Sequence, residues 1–112
     1  MNPIDALGDP TRRQLFERIR QGSCSVTDLV ASVSVSQPAV SQHLKVLKEA
    51  NLVSVEKHGK LRIYHLNPVG LAELRRYAEG LWEDVLLAFG DKAERMANAR
   101  EGSHANTNQA DS

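Results

Sequence analysis

The sequence predicts a mainly α-helical fold with one small β-hairpin, and three observations predict it. Residues 36–48 form a helical pattern with one apolar and one hydrogen-bonding side. Residues 52–57 and 61–66 are β-rich and flank His58-Gly59-Lys60, and residues 69–89 carry a long apolar periodicity. A chain of 112 residues with 41% apolar side chains buries one modest core and not two. One domain is therefore expected over residues 1–97, followed by a disordered tail over 98–112, where the chain turns small and polar.

From the amino end, an apolar turn around Ile4 and Leu7 leads to Gly8-Asp9-Pro10, where Asp9 caps a helix and Pro10 takes its first position. Leu15, Phe16 and Ile19 share one side of that helix, and Gly22 stops it. Ser25-Val26-Thr27-Asp28 has capping-box spacing with Asp in place of Glu, so a second helix is expected to run to about Val33. Ser32-Val33-Ser34-Val35-Ser36 alternates as a strand would but reads as a tight turn, because Pro38 behind a serine cap starts the third helix. The hairpin follows, with glycine at its turn. Because an isolated hairpin is marginal in water, its inner side is expected on the helices, with Lys57, Lys60 and Arg62 projecting outward.

In the last helix Leu71, Leu74, Tyr77, Ala78, Leu81, Trp82, Val85, Leu86, Ala88 and Phe89 fall on one side. That arc spans about half the wheel, wider than the roughly 100° a helix needs to lie on its own core. A second copy of the chain is the partner expected to cover the excess. Gly80 marks a weak point or a close contact, and Gly90 a break or kink.

The third helix carries the chemistry. With residues 100° apart, Ala39, Val40, Leu44, Val46, Leu47 and Ala50 occupy one half of the wheel, and Gln37, Ser41, Gln42, Lys45 and Lys48 the other. Amides and hydroxyls can pair with base edges in a major groove, and lysines neutralise phosphates. Ser41 and Gln42 lead the candidate base contacts; Gln37 and Ser36 follow, with Lys45 on phosphate. His43 falls among the apolar residues, so packing or an internal hydrogen bond fits it better than a DNA contact. Arg12 and Arg13 either reach phosphate or solvate their helix.

Formal net charge is zero, but residues 36–65 hold five Lys or Arg against two acids, while residues 66–112 hold five against eight. Only the middle is built to meet a polyanion. No basic leader and apolar run opens the chain, no segment suits a bilayer, and a lone Cys24 makes no intrachain disulfide, which fits a cytoplasmic protein. No serine sits in a nucleophile elbow and no glycine-rich phosphate loop follows a strand, so an enzyme is not expected.

Three helices, a basic hairpin and a long last helix describe a winged helix-turn-helix. Leu7-Gly8-Asp9-Pro10-Thr11-Arg12-Arg13, residues 36–47 and Tyr64-His65-Leu66-Asn67-Pro68 moreover resemble the ArsR-type bacterial repressors, from Ile4 to about Phe89. The resemblance implies a homodimer paired through its first and last helices, with Leu7, Leu74, Leu81, Trp82, Val85 and Phe89 at the interface. It implies the third helix in the major groove, with Lys57, Lys60 and Arg62 of the wing beside the backbone. It further implies repression at a palindromic operator on double-stranded DNA, often the protein's own promoter. Ser34 stands where the family usually has glycine, and a left-handed serine there would add strain.

Metal-sensing members use thiolates or histidines at set places. The paired-cysteine motif would need cysteines at Ser25 and Thr27, and the last-helix site would need histidines between Val69 and Phe89, where there are none. No metal or cofactor is expected, and the Trp82 and Leu86 pattern resembles the metal-independent branch. The alternatives are a dimeric interaction module on this scaffold without DNA binding, and a metal-sensing repressor.

Overall fold

The computed structural model describes residues 1–90, 95, 96, 98 and 99. Its elements are α1 (Pro3–Ala6), α2 (Pro10–Gln21), β1 (Cys24–Ser25), α3 (Val26–Ala31), α4 (Gln37–Glu49), β2 (Val53–His58), β3 (Leu61–Leu66) and α5 (Pro68–Phe89). The chain divides into two compact units, residues 1–75 and the part from Arg76 onward, and α5 runs through the boundary. Apart from the helical Asn98 and Ala99, the tail expected over 98–112 lies outside the described residues.

Each helix starts on the residue that its sequence supplies for the purpose. Asp9 Oδ1 accepts from the Arg12 N–H at 3.0 Å with Pro10 in the first turn of α2. At α3 the capping box closes both ways, Ser25 Oγ accepting from Asp28 N–H at 3.2 Å and Asp28 Oδ2 from Ser25 N–H at 3.1 Å. Ser36 Oγ accepts from Ala39 N–H at 3.3 Å to start α4. The apolar turn at the amino end is a single helical turn, α1, because Asn2 Oδ1 caps it by accepting from Ile4 N–H at 2.7 Å. Helix α3 stops at Ala31 rather than near Val33, since the Ser32 hydroxyl donates back to the Leu29 carbonyl at 2.7 Å and competes with continuation. The turn into α4 needs no left-handed serine: Asn51 is the one non-glycine residue with positive φ among those described. The strain expected at Ser34 is absent.

The sheet has three strands, not two. β1 pairs antiparallel with β3, Cys24 opposite Tyr64 and Ser25 opposite Ile63, giving the order β1-β3-β2. A two-residue strand shows no alternation, so nothing in the sequence announced it. It ties the middle of β3 to the body. Leu15, Leu29, Val40, Leu44, Leu47, Leu52 and Val53 are the largest fully buried side chains, and Leu71 and Leu74 pack against that core from the first turns of α5.

Strand register corrects the expected direction of two wing cations. Lys57 lies opposite Arg62, and Val55 opposite Tyr64. Side chains alternate faces along a strand, so Lys57 and Arg62 share the face of Val53, Val55, Tyr64 and Leu66. They extend the inner, helix-facing side beyond the core at the exposed tip instead of projecting from the outer side. Gly59, with φ of 65°, makes the turn.

Helix α4 ends in a Schellman motif: Leu52 N–H donates to Leu47 C=O and Asn51 N–H to Lys48 C=O, each at 3.0 Å, with Asn51 left-handed at φ of 59°. The first turn of α5 rests on this corner, Gly70 N–H donating to Asn51 C=O at 2.8 Å. A Cβ at Gly70 would lie 2.6 Å from the Asn51 carbonyl carbon and 2.7 Å from the Ala50 oxygen, both backbone atoms. Helix α5 passes Gly80 unbroken, with nothing within 4 Å of a Cβ there, and stops before Gly90, whose φ is 57°.

Gly70→Ala should therefore cost about 1–3 kcal/mol, as overpacking does when backbone must shift. Gly80→Ala should instead stabilise by up to about 1 kcal/mol through helix propensity; urea midpoints of the two variants check the opposite signs. Asp9 titrates below its ordinary value, held down first by the Arg12 N–H, then by the charges of His43 and Arg12, with desolvation opposing. A carboxyl depressed in the fold contributes stability above its unfolded pKa of about 3.9 and loses it as pH falls through the lower folded value. Asn caps about as well as Asp, so Asp9→Asn should keep the helix while flattening acid destabilisation between pH 5 and 2, read from urea midpoints across that range.

Candidate nucleic-acid interface

Burial splits α4 cleanly. Val40, Leu44 and Leu47 are 0%, 1% and 0% exposed, while Gln37, Ser41, Gln42, Lys45 and Lys48 all face solvent. Because the leucines fix the roll of the helix, the polar row is presented as a set. Ser36 is exposed as well, its hydroxyl taken by the cap. The resulting face carries amides and hydroxyls in its first two turns and ammonium groups in its last two, with Glu49 as the acid at its end. Such a row can donate to and accept from base edges while its cations meet phosphate.

The wing adds a second cationic group. Lys57 and Arg62 are cross-strand neighbours on one face, and Lys60 sits in the turn, all three exposed. Glu56 lies on the opposite face, close to two imidazoles. His58 Nε2 bonds to Glu56 Oε2 at 3.2 Å, and His65 Nε2 comes within 3.3 Å of Glu56 Oε1. The second approach is no hydrogen bond: His65 Nε2 is buried without a hydrogen-bond partner. The His58–Glu56 contact was not anticipated from the sequence. The alternation Glu56-x-His58 was the available signal.

Arg12 is not free to reach phosphate. Its Nε donates to the Ala6 carbonyl at 2.6 Å, tying α2 to α1. Arg13 is exposed. His43 is half-buried on the core-facing flank of α4, close enough to Asp9 for its charge to act on that carboxyl.

Among the residues expected at a dimer interface, Leu7 and Leu74 are half-buried and pack on the chain's own core. Farther along α5, Val85 is half-buried, whereas Leu81, Trp82 and Phe89 are 49%, 40% and 65% exposed. Leu87, 87% exposed, lies off the apolar arc on the charged side of the helix and was not anticipated.

Cys24 is buried in β1, and desolvation raises its thiol pKa, with Asp28 adding to the rise and Arg18 opposing it. A protonated, enclosed thiol is a poor nucleophile and a poor metal ligand. Among the described residues no three His, Cys, Asp or Glu side chains are grouped so as to hold a metal ion, and no helix is long and apolar enough to cross a membrane.

Comparison with known proteins agrees with this geometry. Residues 9–55, from the Asp9 cap through α4 into the wing, match the family described as "Bacterial regulatory protein, arsR family". The chain is 46% identical over 84 residues to the HTH-type transcriptional regulator Rv2034 of Mycobacterium tuberculosis, covering 75% of this chain and 78% of that protein. It is 32% identical over 72 residues to the transcriptional repressor SdpR of Bacillus subtilis, covering 64% and 80% respectively. The crystal structure of a "possible transcriptional regulator for arsenical resistance" superimposes with a TM-score of 0.68 at 40% identity, over 79% of this chain and 95% of that one. With its winged helix-turn-helix and these relatives, the chain belongs to the arsR family of bacterial regulatory proteins and is a DNA-binding transcriptional regulator, not an enzyme.

Proposed function

We propose that the chain is a cytoplasmic, homodimeric repressor that binds an inverted-repeat operator, with its own promoter as a target, and that it works without a metal. The carrying observation is the solvent-facing row Gln37, Ser41, Gln42 and Lys45, aimed by the buried flank of the same helix. In the proposed complex Gln42 and Ser41 read bases, Gln37 and Ser36 support them from the helix start, and Lys45 with Lys57, Lys60 and Arg62 neutralises phosphate. A local basic footprint on a neutral chain supports this division, since cations are concentrated where the duplex would lie.

The dimer reading rests on α5. Leu81, Trp82 and Phe89 expose large apolar surfaces on one arc, and a second copy covers them at the least cost in new chemistry. Leu7, Leu74 and Val85 complete the proposed interface at its margins. A twofold pair would hold the two α4 helices roughly 34–36 Å apart, matching successive major grooves on one side of the duplex. Metal independence is supported by the enclosed Cys24 and by the serine and threonine at positions 25 and 27.

Titrating the DNA upstream of its own coding sequence at several salt concentrations tests the reading. Log K should fall steeply with log salt, by about 0.9 for each phosphate neutralised. Gln42→Ala should weaken the specific site by about 1–3 kcal/mol and random DNA far less. Equal loss on both would reduce Gln42 to positioning. No binding at low salt would favour an interaction module that lacks DNA affinity.

A further inference from the structure

The first two turns of α4 are defined as much by the side chains they lack as by those they hold. Between Ser36 and Lys48 there is no arginine and no acid. Arginine is the commonest partner of guanine O6 and N7, and a carboxylate is the side chain that accepts from cytosine N4. The helix offers instead two amides, Gln37 and Gln42, the Ser41 hydroxyl and one exposed apolar ring, Pro38, with Ala39 half-buried beside it. Ser36 spends its hydroxyl on the cap, whereas the side chains of Gln37, Ser41 and Gln42 make no hydrogen bond to their own chain among the described residues. We propose that α4 reads an A·T step: Gln42 takes adenine through N6 and N7, and Pro38 takes the 5-methyl group of an adjoining thymine, which makes Pro38 a specificity-determining residue. The inference rests on α4 as the base-reading helix and deepens that reading by naming the bases.

Helix geometry pairs the two side chains. With residues 100° apart, the direction opposite the buried Val40, Leu44 and Leu47 falls between Pro38 and Gln42. These two therefore point most directly away from the core, with Gln37 and Ser41 on one flank. Residues four apart stand roughly 5–6 Å apart at Cβ, and stacked bases about 3.4 Å apart, so the pair covers neighbouring steps of a duplex. An amide both donates and accepts, which complements adenine N7 and the N6 amino group; guanine presents two acceptors there and would leave the amide oxygen unsatisfied. A pyrrolidine ring has no polar group to desolvate, and the thymine methyl is the apolar feature of the major groove that suits it. Proline costs the helix nothing at this place, because the Ser36 cap takes the N–H of Ala39. Lys45 and Lys48 stand in later turns, past the amino-terminal part of a recognition helix that meets base edges.

The test places single base analogues throughout the wild-type footprint on the upstream duplex, so the protein itself is left unaltered. 7-Deazaadenine and 7-deazaguanine remove N7, and deoxyuridine removes the thymine methyl. In each half of the footprint one 7-deazaadenine should weaken wild-type binding about tenfold, and deoxyuridine at an adjoining pair should weaken it about fourfold, the worth of one buried methyl. Gln42→Ala should be indifferent to that 7-deazaadenine yet still feel the deoxyuridine, and Pro38→Ser should behave the other way round. Circular dichroism checks that both variants keep their helices; if Pro38→Ser folds poorly, the analogue series on the wild type still decides. A substitution that merely unseats α4 would weaken every duplex alike and would not reproduce this base-by-base pattern. Sensitivity to 7-deazaguanine alone, a neutral deoxyuridine series, or folded variants that feel both analogues as the wild type does overturn the proposal and leave DNA binding standing. A wild type that binds neither the upstream duplex nor random DNA at low salt overturns both.

Discussion

The burial of Val40, Leu44 and Leu47 on one flank of α4 is the constraint from which the interface follows. Each such side chain contributes about 1.5–3 kcal/mol when fully buried, so rolling the helix by one residue, 100°, would forfeit several of these contributions and drive amides and ammonium groups into an apolar core. The polar row is thereby presented without any contact of its own to hold it. Both ends of the helix are pinned as well, by the Ser36 cap at the start and by the left-handed Asn51 corner at the finish. Gly70 lets α5 rest directly on that corner. The reading helix is thus a rigid part on a rigid seat, which is what discrimination between base pairs demands.

The wing answers a different problem. A hairpin reaching away from a small core has little to stabilise it, and the two residues of β1 supply an extra pairing along the middle of β3. The tip is left to carry charge. Lys57 and Arg62 continue the face that packs on the helices, and α4 packs against β2 of the same body. Glu56, on the other face, lies within reach of His58 and His65 rather than of the cationic edge.

Much of this was legible in the amino-acid order. The period of residues 37–49, the serine and aspartate caps and the glycine turn of the hairpin are local signals, and each element formed where its signal stands. The features that escaped notice are those made by distant residues. Gly70 reads as an ordinary helix-start glycine until Asn51 is placed beneath it, and Arg12 as a surface cation until Ala6 offers a carbonyl. β1 is too short to show a period. The facing of Lys57 was legible, because Val53, Val55 and Lys57 alternate in step, but the eye follows charge outward before it follows parity. In the site itself the outward residues of α4 could be read from the wheel alone.

The central claim is that paired α4 helices lie in successive major grooves. Affinity cleavage addresses it most directly: an iron chelate tethered at Glu49→Cys, an exposed position at the end of α4, while the enclosed Cys24 stays unlabelled, would cut DNA wherever that helix sits. The account predicts two clusters of cuts on the upstream duplex, centred about 10 base pairs apart and related by a dyad. A single cluster, or cutting spread evenly along the fragment, would contradict it.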